Sequence, residues 1–349
     1  MTIIAVDVGG TNVRFGIAET DKGPLTGIKN LICDDFPRIE DAINAYLKTS
    51  TDTPSLEIDA ICIAVAAPVK GDNIDVTNNH WQFSKTALLE YLPITSLLVI
   101  NDFTAQALAQ TNPEASSNQL ILEGASRVDA PLLVIGAGTG LGVATLIPTN
   151  NGYQVIEGEG GHVCFSPRDE LEGELYAHLR KTRPYVSAEE VISGPGLERI
   201  YRFLCGREGV NPSCWHAAHI GSAALREKGL ERQAALMLID ALATVVVNNV
   251  LTMGCWRGAV IAGGVVPRLA RLIPESRFKE RFREVGVMSD ALEDVPVWLA
   301  TDTLVGLDGA RKALANPNLA SRVIAKTSSH RPEPATEVHR SQRQQDHDD

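Results

Sequence analysis

Three acidic side chains and one histidine stand where their types and spacing can do chemistry. Asp7 interrupts the apolar strand IIAVDVGGTN, Asp102 closes the run LLVIND, and Glu159 and His162 flank two glycines in GEGGHVCF. A carboxylate in a half-buried strand is costly unless a cation or hydrogen-bond donor meets it, so Asp7 needs a partner. A metal ion beside bound phosphates would serve, and so would the amides of the following turn. Arg14, across the hairpin, suits a phosphate or an acidic side chain equally. Asp102 lies where a strand passes into a helix. It is either an N-cap or, at the strand end where open α/β sheets place ligands, a general base for a hydroxyl. Asn101 can do the capping, which favours the base. Glu159 and His162 lack the spacing of a helical metal site and suit hydrogen bonds to a polyol, or a structural turn.

Glycine-rich turns follow apolar strands at 9–11, 136–142 and 263–264. Exposed amides in such turns reach phosphate oxygens that a side chain would block. No lysine follows a glycine, which excludes a Walker A loop, and Leu141 stands at the sixth position of a would-be Rossmann fingerprint. What remains is three turns in order, suited to a nucleotide held in a cleft. The hairpin at 3–18 recurs at 132–147 as LLVIGAGTGLGVATLI, with Gly10-Thr11 and Gly138-Thr139 in matching places. Such recurrence implies a duplicated fold with one hairpin per half, the aspartate kept only in the first. In VSAEEVISGPG, Ser187 and Glu190 form a capping-box pattern for a helix starting at 186–196, which leaves Glu189 free for a ligand.

These residues are positioned by alternating strands and helices: a helix at 39–49, a buried strand at 60–69, and a strand running into a helix at 97–110. The alternation predicts an α/β fold with a mostly parallel sheet, entered by a hairpin. Residues 232–253 are apolar all round and read as a buried helix. The 349 residues suit two lobes. No apolar run approaches a membrane span and no signal sequence opens the chain, so the expectation is a cytoplasmic protein without a membrane partner. A formal charge of -11 argues against nucleic acid but leaves room for a small phosphorylated ligand. The six cysteines form no CxxC pair. Cys214, His216 and His219 read as a structural loop in preference to a metal site. The segment 327–349 has almost no apolar residues and reads as a disordered tail.

Together, DVGGTNVR, TNNHW, INDFTA, GAGTGLGVA, GEGGHV, SAEEVISGPG and IAGGVVPR resemble the bacterial glucokinase family of the Escherichia coli type. That family lies within the actin-like, hexokinase and heat-shock-chaperone ATPase superfamily. The resemblance runs from about residue 3 to about residue 315. It implies a two-domain actin-like (ribonuclease H-like) ATPase fold, with a cleft between a small α/β domain (1–112 plus 303–318) and a larger α+β domain (113–302). It further implies phosphorylation of glucose to glucose 6-phosphate by ATP with Mg²⁺, no structural zinc, and a homodimer. By matching motifs, Asp102 would be the base for the sugar 6-hydroxyl, and Asn101, Glu159, His162 and Glu189 would hold other hydroxyls. Val8, Gly9, Gly10 and Thr11, with Gly138 and Thr139, would hold the phosphates, and Gly263 and Gly264 would line the adenosine pocket. Asp7 would reach Mg²⁺ through water. The helix N-terminus is expected to keep the pKa of Asp102 low. Cys164 departs from the family pattern, which has an aspartate there. The rival readings are another hexose, another phosphoryl donor, a silent sugar sensor and, most remotely, a dehydrogenase.

Overall fold

The structure, a computed structural model, describes residues 1–20, 23–50, 57–212 and 216–326. The expected tail at 327–349 and Cys214 lie outside the described residues. The strands are β1 (Ile3–Val8), β2 (Asn12–Ala18), β3 (Thr26–Ile32), β4 (Ala60–Val65), β5 (Asn73–Asp75), β6 (Gln82–Ser84) and β7 (Ser96–Asn101), then β8 (Gln119–Leu122), β9 (Leu132–Ala137), β10 (Leu141–Thr149), β11 (Gly152–Gly158), β12 (Gly258–Ala262), β13 (Val297–Leu299) and β14 (Ile324–Ala325). The helices are α1 (Ile39–Ser50), α2 (Lys85–Tyr91), α3 (Asp102–Ala109), α4 (Glu170–Arg180), α5 (Gly194–Glu208), α6 (Ala217–Arg226), α7 (Leu230–Met253), α8 (Phe278–Arg283), α9 (Ser289–Glu293) and α10 (Val305–Leu314).

Two six-stranded sheets share one plan, in the orders β14-β7-β4-β1-β2-β3 and β8-β13-β12-β9-β10-β11. In each, a parallel trio (β7, β4, β1; β13, β12, β9) is flanked by two antiparallel strands on one side and one on the other. The matching orders bear out the duplication read from the two hairpins. They also correct the expectation of a mostly parallel sheet: both sheets are mixed. The connections of three residues after β1 and β9 are too short for a parallel crossover and force antiparallel pairing.

The sheets face each other across α3 and α10. Ala5, Cys62 and Ala64 from the first sheet and Val134, Ala144 and Val260 from the second share one core with Ala105, Leu108, Leu307 and Ala310. Small residues on the first sheet's inner face leave room for the helices. At Gly309 a Cβ would lie 1.7 Å from the Ala105 carbonyl oxygen, so α3 and α10 cross nearly backbone to backbone. Strand alternation sends Ile4, Val6 and Val8 into the outer core with α1 and leaves Asp7 on the inner face with Ala5. Outside the second sheet lies the largest core, built around α5 and α7. α7 is long and apolar enough to cross a membrane, which corrects the expectation that no run reaches that length; most of its apolar surface is buried inside this core.

Candidate active site

Asp7 lies opposite Ala64, and Ala64 opposite Ile100, in the parallel trio. Asp7 is therefore two strand spacings, about 10 Å, from Ile100, and Asp102 follows two residues beyond it at the start of α3. Asp7 pairs with Arg14, its cross-strand neighbour, at 3.2 Å between Nη1 and Oδ2. Of the two roles open to Arg14, the structure assigns the acidic partner. Among the described residues, Arg14 and not a turn amide is the hydrogen-bond donor to Asp7. A Cβ at Gly306 would fall 2.7 Å from the Asp7 carboxyl carbon, so this glycine lets the first turn of α10 close on the carboxylate. Burial raises the pKa of Asp7, and Arg14 opposes that rise.

Asn101 is the N-cap of α3: its Oδ1 accepts the Phe103 N–H at 2.9 Å. Asp102 is the first helical residue, and its Oδ1 accepts the same N–H at 2.9 Å. The expectation of a low pKa is corrected. Asp102 is pushed up to about 7, first by burial and then by the charge of Asp7, and the helix amides only partly offset this.

The first glycine turn is braced from behind. The Gly9 N–H donates to the Asn12 carbonyl at 2.9 Å, and Asn79 Nδ2 donates to the Gly9 carbonyl at 3.1 Å. Asn78, in the left-handed region at φ 58°, lays its carbonyl 3.1 Å from where a Gly10 Cβ would be. The TNNHW segment is thus the buttress of this turn, anchored by buried Trp81. Thr11 is exposed at the tip, whereas Val8 is fully buried and its carbonyl accepts the Ala66 N–H. In the second turn the Gly138 N–H donates to the Gly140 carbonyl and the Gly138 carbonyl accepts the Gly194 N–H, both at 2.8 Å. Thr139 is exposed there, and the space beyond Gly138 is open. At the third, Gly263 has φ +84°, and a Cβ would lie 2.4 Å from the Ala137 carbonyl oxygen, a position only glycine fills without strain. Gly264 lines a pocket of about 150 Å³ with Leu197, Ala218, Leu225 and Arg268.

Glu159 and His162 are exposed, 4.0 Å apart between Oε2 and Nε2. The Glu189 N–H donates to the Gly161 carbonyl at 2.9 Å, and its Oε2 accepts the Leu141 N–H at 2.8 Å. Glu189 therefore joins the Glu159–His162 loop to the second glycine turn. Among the described residues no hydrogen bond links Glu159, His162 or Glu189 to Asn101 or Asp102. The capping-box reading is corrected. Ser187 forms an isolated β-bridge with Cys164, and Glu190 pairs with Arg183 at 2.7 Å and Arg199 at 3.2 Å. The helix starts later, at Gly194, where the Ser193 hydroxyl accepts the Gly196 N–H and Pro195 occupies the first turn, the place a proline suits. His216 and His219 meet edge to face, 6.1 Å between ring centres, at the start of α6, where His216 is the N-cap and His219 is helical, which corrects the loop reading for these two.

A family model for glucokinase matches residues 4–317. The chain belongs to the glucokinase family. A glucokinase of Hahella chejuensis (strain KCTC 2396) is 37% identical over 311 residues, 89% of this chain and 96% of that protein. The crystal structure of a glucokinase from an Antarctic psychrotroph is 33% identical, with a TM-score of 0.77, covering 90% of this chain and 98% of that one. A ROK family glucokinase from Streptomyces griseus, crystallised with glucose and AMPPNP, is 19% identical with a TM-score of 0.59, covering 89% and 97%, and bears on the fold alone. The glucokinase family's two-domain fold is therefore that of this chain.

Reading this glucokinase-family chain motif by motif missed several contacts around the site. A Cβ at Gly142 would fall 1.9 Å from Phe103 Cε2, so the residue after Asp102 leans on the second hairpin. Gly306 and Gly309, three apart on α10, seat that helix against Asp7 and Ala105. Their helical spacing was the available signal. The pocket residues of α5 and α6 carried none.

Proposed function

We propose that this chain transfers the γ-phosphoryl group of ATP to the 6-hydroxyl of glucose, with Asp102 as general base. Family membership carries the reaction class, an ATP-dependent hexose kinase. The observation that carries the assignment of the base is the presence of two buried carboxylates, Asp7 and Asp102, at strand ends either side of β4 and near enough for the charge of Asp7 to act on Asp102. Asn101 shares the capping of α3 with one oxygen of Asp102, which leaves the other carboxyl oxygen to act. A carboxyl pushed up to about 7, first by burial and then by the charge of Asp7, accepts a hydroxyl proton more readily than an ordinary aspartate.

In this reading Glu159, His162, Glu189 and Asn101 hold the other sugar hydroxyls. The turns at Gly9, Gly10 and Thr11 and at Gly138 and Thr139 take the phosphates, the Gly9 and Gly138 amides being spent on the turns' own bonds, and the pocket beside Gly264 takes the adenosine. Val8 serves through its backbone shape only. The two carboxylates suit Mg²⁺: the charge of Asp7 makes that of Asp102 costly without a cation, and this ion needs only one or two carboxylates beside waters and phosphates. Asp7, through water, would hold it. When bound, Mg²⁺ supplies charge compensation on the phosphates. Asp102 orients the hydroxyl and takes its proton, and closure of the lobes over the sugar excludes water as a competing acceptor. The lobes are 1–112 plus 303–318 and 113–302; the packing of α10 on α3 and β1 supports counting the returning helix with the first. The same family membership supports a cytoplasmic enzyme, and a homodimer that sedimentation would test. The functional test is a panel of hexoses with ATP, read by glucose 6-phosphate formation. Turnover fastest with glucose is expected; sugar binding without ATP consumption would replace the kinase by a sensor.

A further inference from the structure

Glu189 makes a contact that recognition of a sugar does not need. Its Oε2 accepts the N–H of Leu141, the first strand residue after the second glycine turn. The turn closes on this oxygen: a Cβ at Gly140 would lie 2.4 Å from Oε2 and 3.8 Å from Oε1. The backbone around Glu189 is held as well, its N–H by the Gly161 carbonyl and its carbonyl by the Ser193 hydroxyl at 2.8 Å. Next to it, Glu190 is pinned between Arg183 and Arg199. The carboxylate is thus fixed on a rigid base and fastens the Gly140–Leu141 peptide. That peptide follows directly on Gly138 and Thr139. The turn's internal bond, from the Gly138 N–H to the Gly140 carbonyl, depends on the same peptide's orientation.

We propose that Glu189 is a positioning residue for the nucleotide phosphates as well as a sugar contact, one oxygen holding the second phosphate turn and the other left for a sugar hydroxyl. The proposal rests on the kinase reading above and adds a connection between its two substrate sites. A carboxylate shared in this way couples the sites reciprocally: whatever disturbs the turn weakens sugar binding, and whatever removes the carboxylate weakens nucleotide binding.

Calorimetric titration of each ligand alone, glucose without nucleotide and Mg²⁺–AMPPNP without glucose, tests this without turnover. Glu189→Ala is expected to weaken both by about tenfold or more, the scale of a lost charge-assisted hydrogen bond. Glu189→Gln keeps an oxygen for the Leu141 N–H, so its AMPPNP affinity should stay within about twofold of the parent. Gly140→Ala, which changes no sugar contact, should displace the carboxylate and weaken glucose about tenfold. If Glu189→Ala weakens glucose but leaves AMPPNP binding intact, the coupling is wrong and the sugar role stands. If it leaves glucose binding intact, the sugar role itself fails. A glutamine variant as weak for AMPPNP as the alanine variant also overturns the coupling, as does unaltered glucose affinity in a Gly140→Ala protein with a normal melting transition. Should Gly140→Ala not fold, the alanine and glutamine pair decides alone.

Discussion

Gly142→Ala is the smallest change that should misplace the base without touching it. Gly142 has no positive φ, so alanine fits its backbone; the obstacle is the Phe103 ring. The new Cβ would lie 1.9 Å from Cε2, 2.1 Å from Cδ2 and 2.5 Å from Cζ of that ring. Carbon atoms rest at about 3.5–4.0 Å, so ring and strand must part by about 1.5 Å. Overpacking of this kind costs about 1–3 kcal/mol, which should lower the melting temperature. Phe103 directly follows Asp102 in the first turn of α3, so part of the displacement reaches the carboxylate. A misplacement of about 1 Å at a reacting group costs on the order of 10² in rate. The expected result is kcat down by about a hundredfold with glucose KM little changed, measured by coupling glucose 6-phosphate to NADP reduction. Phe103→Val removes all three crowding atoms, so the double variant should regain about tenfold over Gly142→Ala alone, a non-additivity expected of residues in contact. A Gly142→Ala enzyme within twofold of the parent kcat, or a double variant no better than the single, would refute the reasoning.

Asp102→Asn should lower kcat by about 10²–10⁴ with a smaller effect on glucose KM, and a variant keeping more than about a tenth of the activity would exclude it as the base. The ionised carboxylate is the active form, so kcat/KM for glucose should be flat above an apparent pKa of about 7 and fall about tenfold per unit below it. In Asp7→Asn the charge that helps raise Asp102 is gone. The acid limb of the residual activity should move to lower pH, and an unmoved limb would mean the two groups do not interact. Gly309→Ala puts a Cβ 1.7 Å from a backbone oxygen that cannot rotate away, so α3 and α10 must separate; a loss of about 1–3 kcal/mol is expected in denaturant unfolding, and an unchanged midpoint would contradict the packing described.

The strands, the two hairpins and the strand-to-helix step at Asp102 were legible because each rests on local patterns: period-two apolar runs, glycines at turns, a cap beside a candidate base. The matching sheet orders followed from the hairpin repeat. Parallel against antiparallel pairing was misjudged because the hairpin strands outnumber what one entering hairpin suggests. Ser187 and Glu190 looked like a capping box because that pattern is short. Only the three-dimensional placement of Arg183 and Arg199 gives Glu190 its real partners. The pKa of Asp102 was misjudged for the same kind of reason. Its local amides are visible in sequence, whereas its burial and the charge of Asp7, about 95 positions earlier in the chain, follow from the sheet register. The contact of Glu189 with the second turn joins residues 48 apart and leaves no local trace.

The seat of α10 against β1 and α3 has a consequence for how the polypeptide is made. Asp7 and Asp102 leave the ribosome at least about two hundred residues ahead of α10, the helix that packs on β1 and α3. At common translation rates that is on the order of 10–40 s during which the inner face at Ala5, Cys62 and Ala64 lacks the part of its cover that Leu307 and Ala310 supply. A nascent or prematurely terminated product ending before Val305 carries both carboxylates yet lacks the turn that closes on Asp7. The surroundings of Asp7 are therefore complete only once α10 has been made.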